Sequence, residues 1–139
     1  MRRYWLADDG SVTVQTVFAV PVLISVLLFV VVCGRLVETR LRVDSAAQDA
    51  ARAASLARSS QDAQTVARGA VAGDLGGGGP NCGTYTVTTD TTDFRPGGSV
   101  RVSVRCAATM SGLSGLGLPG VVGVNSHAAS PIDQYRGIT

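Results

Sequence analysis

Residues 17–32 read VFAVPVLISVLLFVVV, an apolar run that contains no charged residue. Residues 12–16 extend this run with only Thr13, Gln15 and Thr16 as polar interruptions. The combined length of about 21 residues matches the ~20 that a helix needs to cross ~30 Å of hydrocarbon at 1.5 Å per residue. The stretch therefore predicts a single transmembrane helix.

Three other interpretations fit the apolar stretch less well. A secretory signal peptide has a shorter apolar core and a small-residue cleavage site, and the following VVVCGRLVET offers no such site. A lipoprotein anchor at Cys33 conflicts with Val32, because the lipidation signal needs a small residue before the cysteine. A buried core helix would need more protein around it than the rest of the chain supplies. Membrane anchoring is the preferred interpretation.

Composition disfavours nucleic-acid binding and catalysis. The chain has 139 residues and a net charge of +2, and its basic residues are scattered from Arg2 to Arg136. All twelve basic residues are arginine, which excludes lysine as a Schiff base or general base. His127 is the sole histidine, without carboxylates or cysteines at metal-ligand spacing, and a triad with Asp133 lacks a nucleophile-elbow sequence. We predict no enzyme, metal or cofactor, and no small-molecule substrate is evident.

After the span, residues 35–73 predict a long helical stem, because they contain no proline and are rich in alanine. Small apolar residues recur at steps of three and four, which places them on one stripe of the helix: Val43, Ala47, Ala50, Ala54 and Ala57. Polar residues follow the same period elsewhere: Asp44, Gln48, Arg52, Ser55, Ser59 and Asp62. The alanine stripe predicts close packing against another helix or a sheet.

Residues 74–139 predict a small β domain. The glycine run at 76–79, followed by Pro80, ends the helix and predicts a hinge. Residues 84–89 and 99–106 have strand patterns, residues 94–98 supply the turn between them, and residues 121–129 predict a third strand after the LSGLGLPG connection. The expected fold is α+β: the transmembrane helix continues into the long alanine-rich helix, which packs against an antiparallel sheet of about three strands.

The arginines that flank the span do not decide the orientation of the chain across the membrane, so the cysteine positions are considered instead. Arg2 and Arg3 precede the span, while Arg35, Arg40 and Arg42 follow it, so the positive-inside rule does not favour either orientation. Cys82 and Cys106 flank the paired strands, as expected for a disulfide formed in an oxidising compartment. Two free buried thiols are the alternative. A disulfide would place the C-terminal domain outside the cytoplasm and the N-terminus inside.

Residues 9–21, DGSVTVQTVFAVP, resemble the opening of TadE-like and TadG-like proteins of tight-adherence pilus systems. The stretches VDSAAQDAARAAS and AASPIDQYR are similar in character to these proteins. The resemblance implies a cytoplasmic leader, residues 1–10, that a prepilin peptidase cuts between Gly10 and Ser11, with the transmembrane helix at 11–34. Members typically carry glutamate at the fifth mature position, where this chain has Gln15. Gln15 accepts a hydrogen bond but lacks the charge that would pair with a neighbouring subunit's terminal ammonium.

The resemblance implies a non-enzymatic, pilin-like component of a Tad-type pilus assembly or secretion system, held in the cytoplasmic membrane. Its expected partners are the membrane, other pilus-assembly proteins or pilin-like subunits, and prepilin peptidase. The departure at Gln15 favours a minor or non-polymerising component over a major pilin. A membrane-tethered extracytoplasmic binding module unrelated to pili is the alternative. Genes for an assembly ATPase and platform proteins beside this one would favour the pilus.

Overall fold

The computed structural model describes residues 9–76, 82–109 and 120–135. These residues form two helices, α1 (Asp9–Ser55) and α2 (Ser60–Leu75), and three strands, β1 (Thr84–Asp90), β2 (Ser99–Thr109) and β3 (Val121–Pro131). The expected α+β class and the three-stranded antiparallel sheet are confirmed. Residues 1–8 of the predicted leader (1–10), the glycine-rich residues 77–81, the connection at 110–119 and residues 136–139 lie outside the described residues.

The chain divides into two compact units, residues 1–36 and 37–139. In the first unit, α1 is apolar around its whole circumference, and its large side chains are exposed from Val14 onward. Its most apolar 18-residue window has a mean hydropathy of 2.9, and none of that window is buried by protein. Pro21 is accommodated inside the helix, and the Ser25 hydroxyl donates a hydrogen bond of 2.8 Å to the Pro21 carbonyl. Such a helix fits a single membrane pass.

The second unit is a layer of helix on one face of the sheet. The strand order is β1-β2-β3, and both pairs are antiparallel. Alternation along β2 sends Val100, Val102, Val104 and Cys106 to one face, where each is at most 2% exposed. The predicted alanine stripe of the stem packs on that face, and its five members are all buried. Alanine permits this close approach because it adds only one carbon beyond the backbone.

The stem is two helices, whereas the sequence pattern predicted one. α1 ends at Ser55, and α2 begins after Ser59, whose extended backbone (φ −136°, ψ 160°) is the N-cap. The Ser59 hydroxyl accepts a hydrogen bond of 3.1 Å from the Asp62 amide, which satisfies one of the free donors of the first turn. The break allows α2 to bring its own buried stripe to the sheet: Ala63, Ala67, Val71 and Leu75.

The turn between β1 and β2 is held against the end of β3. Gly97 has a φ of +77°, which is strained for residues with a side chain. The Gly97 amide donates to the Ile132 carbonyl at 3.2 Å, and the Ile132 amide donates to the Gly98 carbonyl at 2.9 Å. A Cβ on Gly98 would collide with the Asp93 carbonyl oxygen. Both glycines of the predicted turn are therefore required by backbone geometry.

Candidate functional site

The predicted processing and assembly residues lie at the start of α1. Gly10 and Ser11 fall in its first turn, where the backbone is helical. Gln15 lies one turn further along, and its side chain is exposed. A neutral amide on an otherwise apolar helix can hydrogen-bond across a helix pair in lipid, with a net gain of roughly 1 kcal/mol.

Cys82 and Cys106 are joined by a disulfide, with a Cα–Cα distance of 5.8 Å and a sequence separation of 24. Cys106 is 2% exposed at the centre of the sheet, while Cys82 precedes β1 and is half-buried. The bond therefore attaches the start of the β domain to its central strand. Cys33, by contrast, is a free and exposed thiol on α1.

Two polar contacts join α1 to β3. The Ser126 hydroxyl donates to an Asp44 carboxylate oxygen at 2.7 Å, and the Ser130 hydroxyl donates to the Ser55 hydroxyl at 3.1 Å. Ser55, placed by its period on the polar stripe of the stem, is in fact 7% exposed because it faces β3. Neither contact carries a sequence signal, since the partners are separated by 82 and 75 positions.

A depression of about 400 Å³ lies beside the first of these contacts. It is lined by Arg40, Leu41, Asp44, Asn125, Ser126 and His127. Asp44 is already engaged by Ser126, and His127 is exposed on β3. The depression is partly open, and polar and apolar atoms line it about equally, unlike the enclosed and mainly apolar pockets that bind small molecules. Within the described residues, no three His, Cys, Asp or Glu side chains are grouped as metal ligands would be.

Asp90 ends β1 with a local hydrogen-bond network. Its Oδ1 accepts from the Thr92 amide at 3.0 Å and from the Thr92 hydroxyl at 2.7 Å. The pKa of Asp90 is lowered, chiefly by the backbone hydrogen bond from Thr92, then by the hydroxyl of the same residue, and also by the Arg101 charge. The carboxylate is exposed, and these hydrogen bonds hold the turn that follows β1.

The described residues contain one apolar helix that fits a single membrane pass, and the chain continues from it into a small α+β unit. Residues 10–52 match the model of a family described as TadE-like protein. The predicted resemblance to TadE-like proteins is thus confirmed over this segment. No curated protein and no solved structure matches the chain.

Proposed function

We propose that this protein is a non-enzymatic, membrane-anchored component of a Tad-type pilus assembly or secretion system. The observation that supports the proposal is where the family match falls. It runs from Gly10 to Arg52, and so comprises the exposed apolar helix together with the beginning of the alanine-lined stem. A fully exposed apolar surface of this length requires lipid or other apolar helices around it, because contact with water is unfavourable for so large an apolar area.

In this proposal, residues 1–10 are a cytoplasmic leader, residues 11–34 cross the cytoplasmic membrane, and residues 35–73 and 74–139 form the stem and the extracytoplasmic β domain. Prepilin peptidase cuts between Gly10 and Ser11. The Cys82–Cys106 disulfide supports this orientation, since such bonds form and persist outside the reducing cytoplasm.

Gln15 is the proposed contact with the helices of other pilin-like subunits or assembly proteins. Its exposed amide offers both a donor and an acceptor, but no charge. A neutral contact in lipid is weaker than an ion pair, which favours a minor component over the main polymerising subunit. Restoring the carboxylate with Gln15→Glu should therefore increase co-isolation with pilus fibres, whereas Gln15→Leu should abolish it.

The proposal is tested by the intact mass of the protein isolated from its native membrane, with and without reduction before thiol alkylation. A chain that begins at Ser11 and gains two alkyl groups only after reduction supports both the processing and the exported domain. A chain that retains residues 1–10 and alkylates at three cysteines without reduction would contradict both parts. Gly10→Ala should leave the leader attached if cleavage occurs at this position.

A second candidate function is a membrane-tethered binding module unrelated to pili. The observation in its favour is that the family match ends at Arg52, so that α2 and the entire sheet lie beyond it. Deletion of the whole chain separates the two candidates. Loss of pilus assembly would support a Tad-type component, while unchanged pilus assembly would favour a binding module unrelated to pili.

A further inference from the structure

Within the described part of the chain, the sheet has two edge strands, and the longer one is β3. Among the described residues, β3 pairs only with β2. Just beyond the paired ends of β3 and β2, the Ile132 amide donates to the Gly98 carbonyl. The backbone amide of Ile132 therefore points toward β2. Successive residues of a strand face opposite neighbours, so the odd-numbered residues of β3 direct their amides and carbonyls to the open side. These residues are Val121, Gly123, Asn125, His127 and Ala129.

Natural sheets usually protect such an edge with charges, prolines, bulges or very short strands. β3 has eleven residues, none of which is aspartate, glutamate, lysine or arginine. Its one proline is the last residue, Pro131, so the five preceding outward positions all keep their amides. A row of alternating donors and acceptors at a two-residue repeat is satisfied by one chemical partner, an extended polypeptide backbone.

The chain itself carries a matching strand. β1 is the other edge of the sheet, and it has no charged residue before Asp90. The same alternation makes Tyr85, Val87 and Thr89 the outward-facing residues of β1, since β2 uses its odd-numbered residues to pair with β1. Both β1 and β3 are antiparallel to β2, and so they run in the same direction.

We propose that the β3 edge of one copy pairs with the β1 edge of a second copy, joining their sheets head to tail. This inference rests on the proposed membrane anchoring, which gives every copy the same orientation. A head-to-tail contact preserves that orientation and repeats from copy to copy. An antiparallel contact between two β3 edges would instead stop at two copies and leave both β1 edges unpaired.

The contact supplies an association that does not depend on Gln15. A strand pair as short as β1 is weak between freely diffusing molecules, because few hydrogen bonds must offset the entropy of association. Anchoring in one membrane raises the effective concentration of one edge near the other. The contact is therefore expected in the membrane-bound full chain. It should be lost when the membrane is dissolved and the chains are diluted in detergent.

Cross-linking of the full chain in membranes tests the proposal. Cys33→Ser removes the free thiol, and two differently tagged copies then carry Asn125→Cys on β3 or Thr88→Cys on β1. Both side chains are exposed and lie on the face of the sheet opposite to the helices. A short bismaleimide should join the two tags.

The matched control replaces Thr88→Cys with Gln61→Cys, an equally exposed position on α2. We expect at least fivefold less adduct from this pair. Adducts formed only between two Asn125→Cys copies would overturn the proposal in favour of a symmetric contact. Equal yields from the control pair, or no adduct from any pair, would also overturn it.

A second variant tests the outward direction of the β3 backbone. Asn125→Pro removes an outward amide while leaving the bonds to β2, so it should abolish the adduct between His127→Cys and Thr88→Cys. Resistance of the α+β unit to limited proteolysis, compared with that of the parent chain, reports that the variant is folded. Undiminished adduct in a folded Asn125→Pro chain would refute strand pairing at this edge.

Extraction of the same membranes at alkaline pH distinguishes a failure of the anchoring from a failure of the strand contact. If the chain is released as a peripheral protein, the proposed anchoring fails. If the chain is retained and no β3–β1 adduct forms, anchoring stands and the strand contact is wrong.

Discussion

The two halves of α1 contain similar apolar residues and place them in opposite environments. Val14 and Val26, in the first unit, are 60% and 54% exposed, while Val43, in the second, is completely buried. The helical backbone is the same in both regions, and helix propensity alone does not distinguish them. What differs is the partner: the sheet covers the second half, whereas no described part of the protein covers the apolar window of the first half, as fits a helix in lipid.

The largest effect expected within the second unit comes from the disulfide. Replacing both Cys82 and Cys106 with serine should lower the free energy of unfolding of this unit by about 3–4 kcal/mol, because the unfolded chain regains the entropy of an open loop. Hydrogen exchange of the β2 amides in the full chain measures this loss. Membrane retention should not change, and a parallel loss of retention would show that the two regions depend on each other.

The next largest effect comes from placing a charge in each half of α1, because only the first half is proposed to lie in the membrane. Leu27 and Leu41 are 65% and 64% exposed, so the protein surrounds them equally. Leu27→Arg should raise the cost of membrane insertion by about 3 kcal/mol, as expected for arginine near the centre of a span. Leu41→Arg should leave insertion unchanged. The fraction of chain retained after alkaline extraction reports both, and equal behaviour of the two variants would refute the assignment of different surroundings.

A matched pair of valines tests packing. Val43→Ala should destabilise the second unit by about 2 kcal/mol, through lost burial and the cavity that remains against the sheet. Val26→Ala should have no measurable effect on the same unit. Hydrogen exchange at β2 again provides the readout, and it would contradict the contrast if the two substitutions had similar effects.

One substitution should stabilise the second unit. The Thr89 hydroxyl oxygen is buried and has no hydrogen-bond partner within the described part of the chain. Thr89→Val keeps the shape and removes the desolvated group, for a gain of about 1 kcal/mol. Thr88→Val, on the exposed face of the same strand, is the control and should be close to neutral. Destabilisation by Thr89→Val would indicate that the hydroxyl is in fact satisfied.

The smallest effect concerns pH. Folding lowers the pKa of Asp90, so its carboxylate stabilises the folded state above the ordinary aspartate pKa and loses this contribution as pH falls through the lowered value. Asp90→Asn should therefore be slightly less stable than the parent at neutral pH, with the difference disappearing in acid. Unfolding curves at a series of pH values measure it; a difference that persists in acid would exclude titration of Asp90 as the cause.

Several features of the fold follow from local patterns in the sequence. The strict alternation of valines in β2 and the three-to-four spacing of alanines in the stem each predicted the buried face correctly, because side-chain direction has period 2 in a strand and 3.6 in a helix. The break at Ser55 was not predicted, since alanine-rich flanks favour helix on both sides. Ser59 caps α2, and the break before it is favourable because it lets α2 bury its own stripe against the sheet.

The sequence by itself determined the apolar helix, the strand alternation and the TadE-like segment, because each depends on neighbours within a few positions. Tertiary structure alone decided that Asp44 meets Ser126, that Ser55 is buried against Ser130, and that the strand order leaves β1 and β3 as edges. Those outcomes depend on contacts between residues that are distant in the chain. Such contacts stabilise the fold only after the backbone has brought the residues together, so no local sequence pattern predicts them.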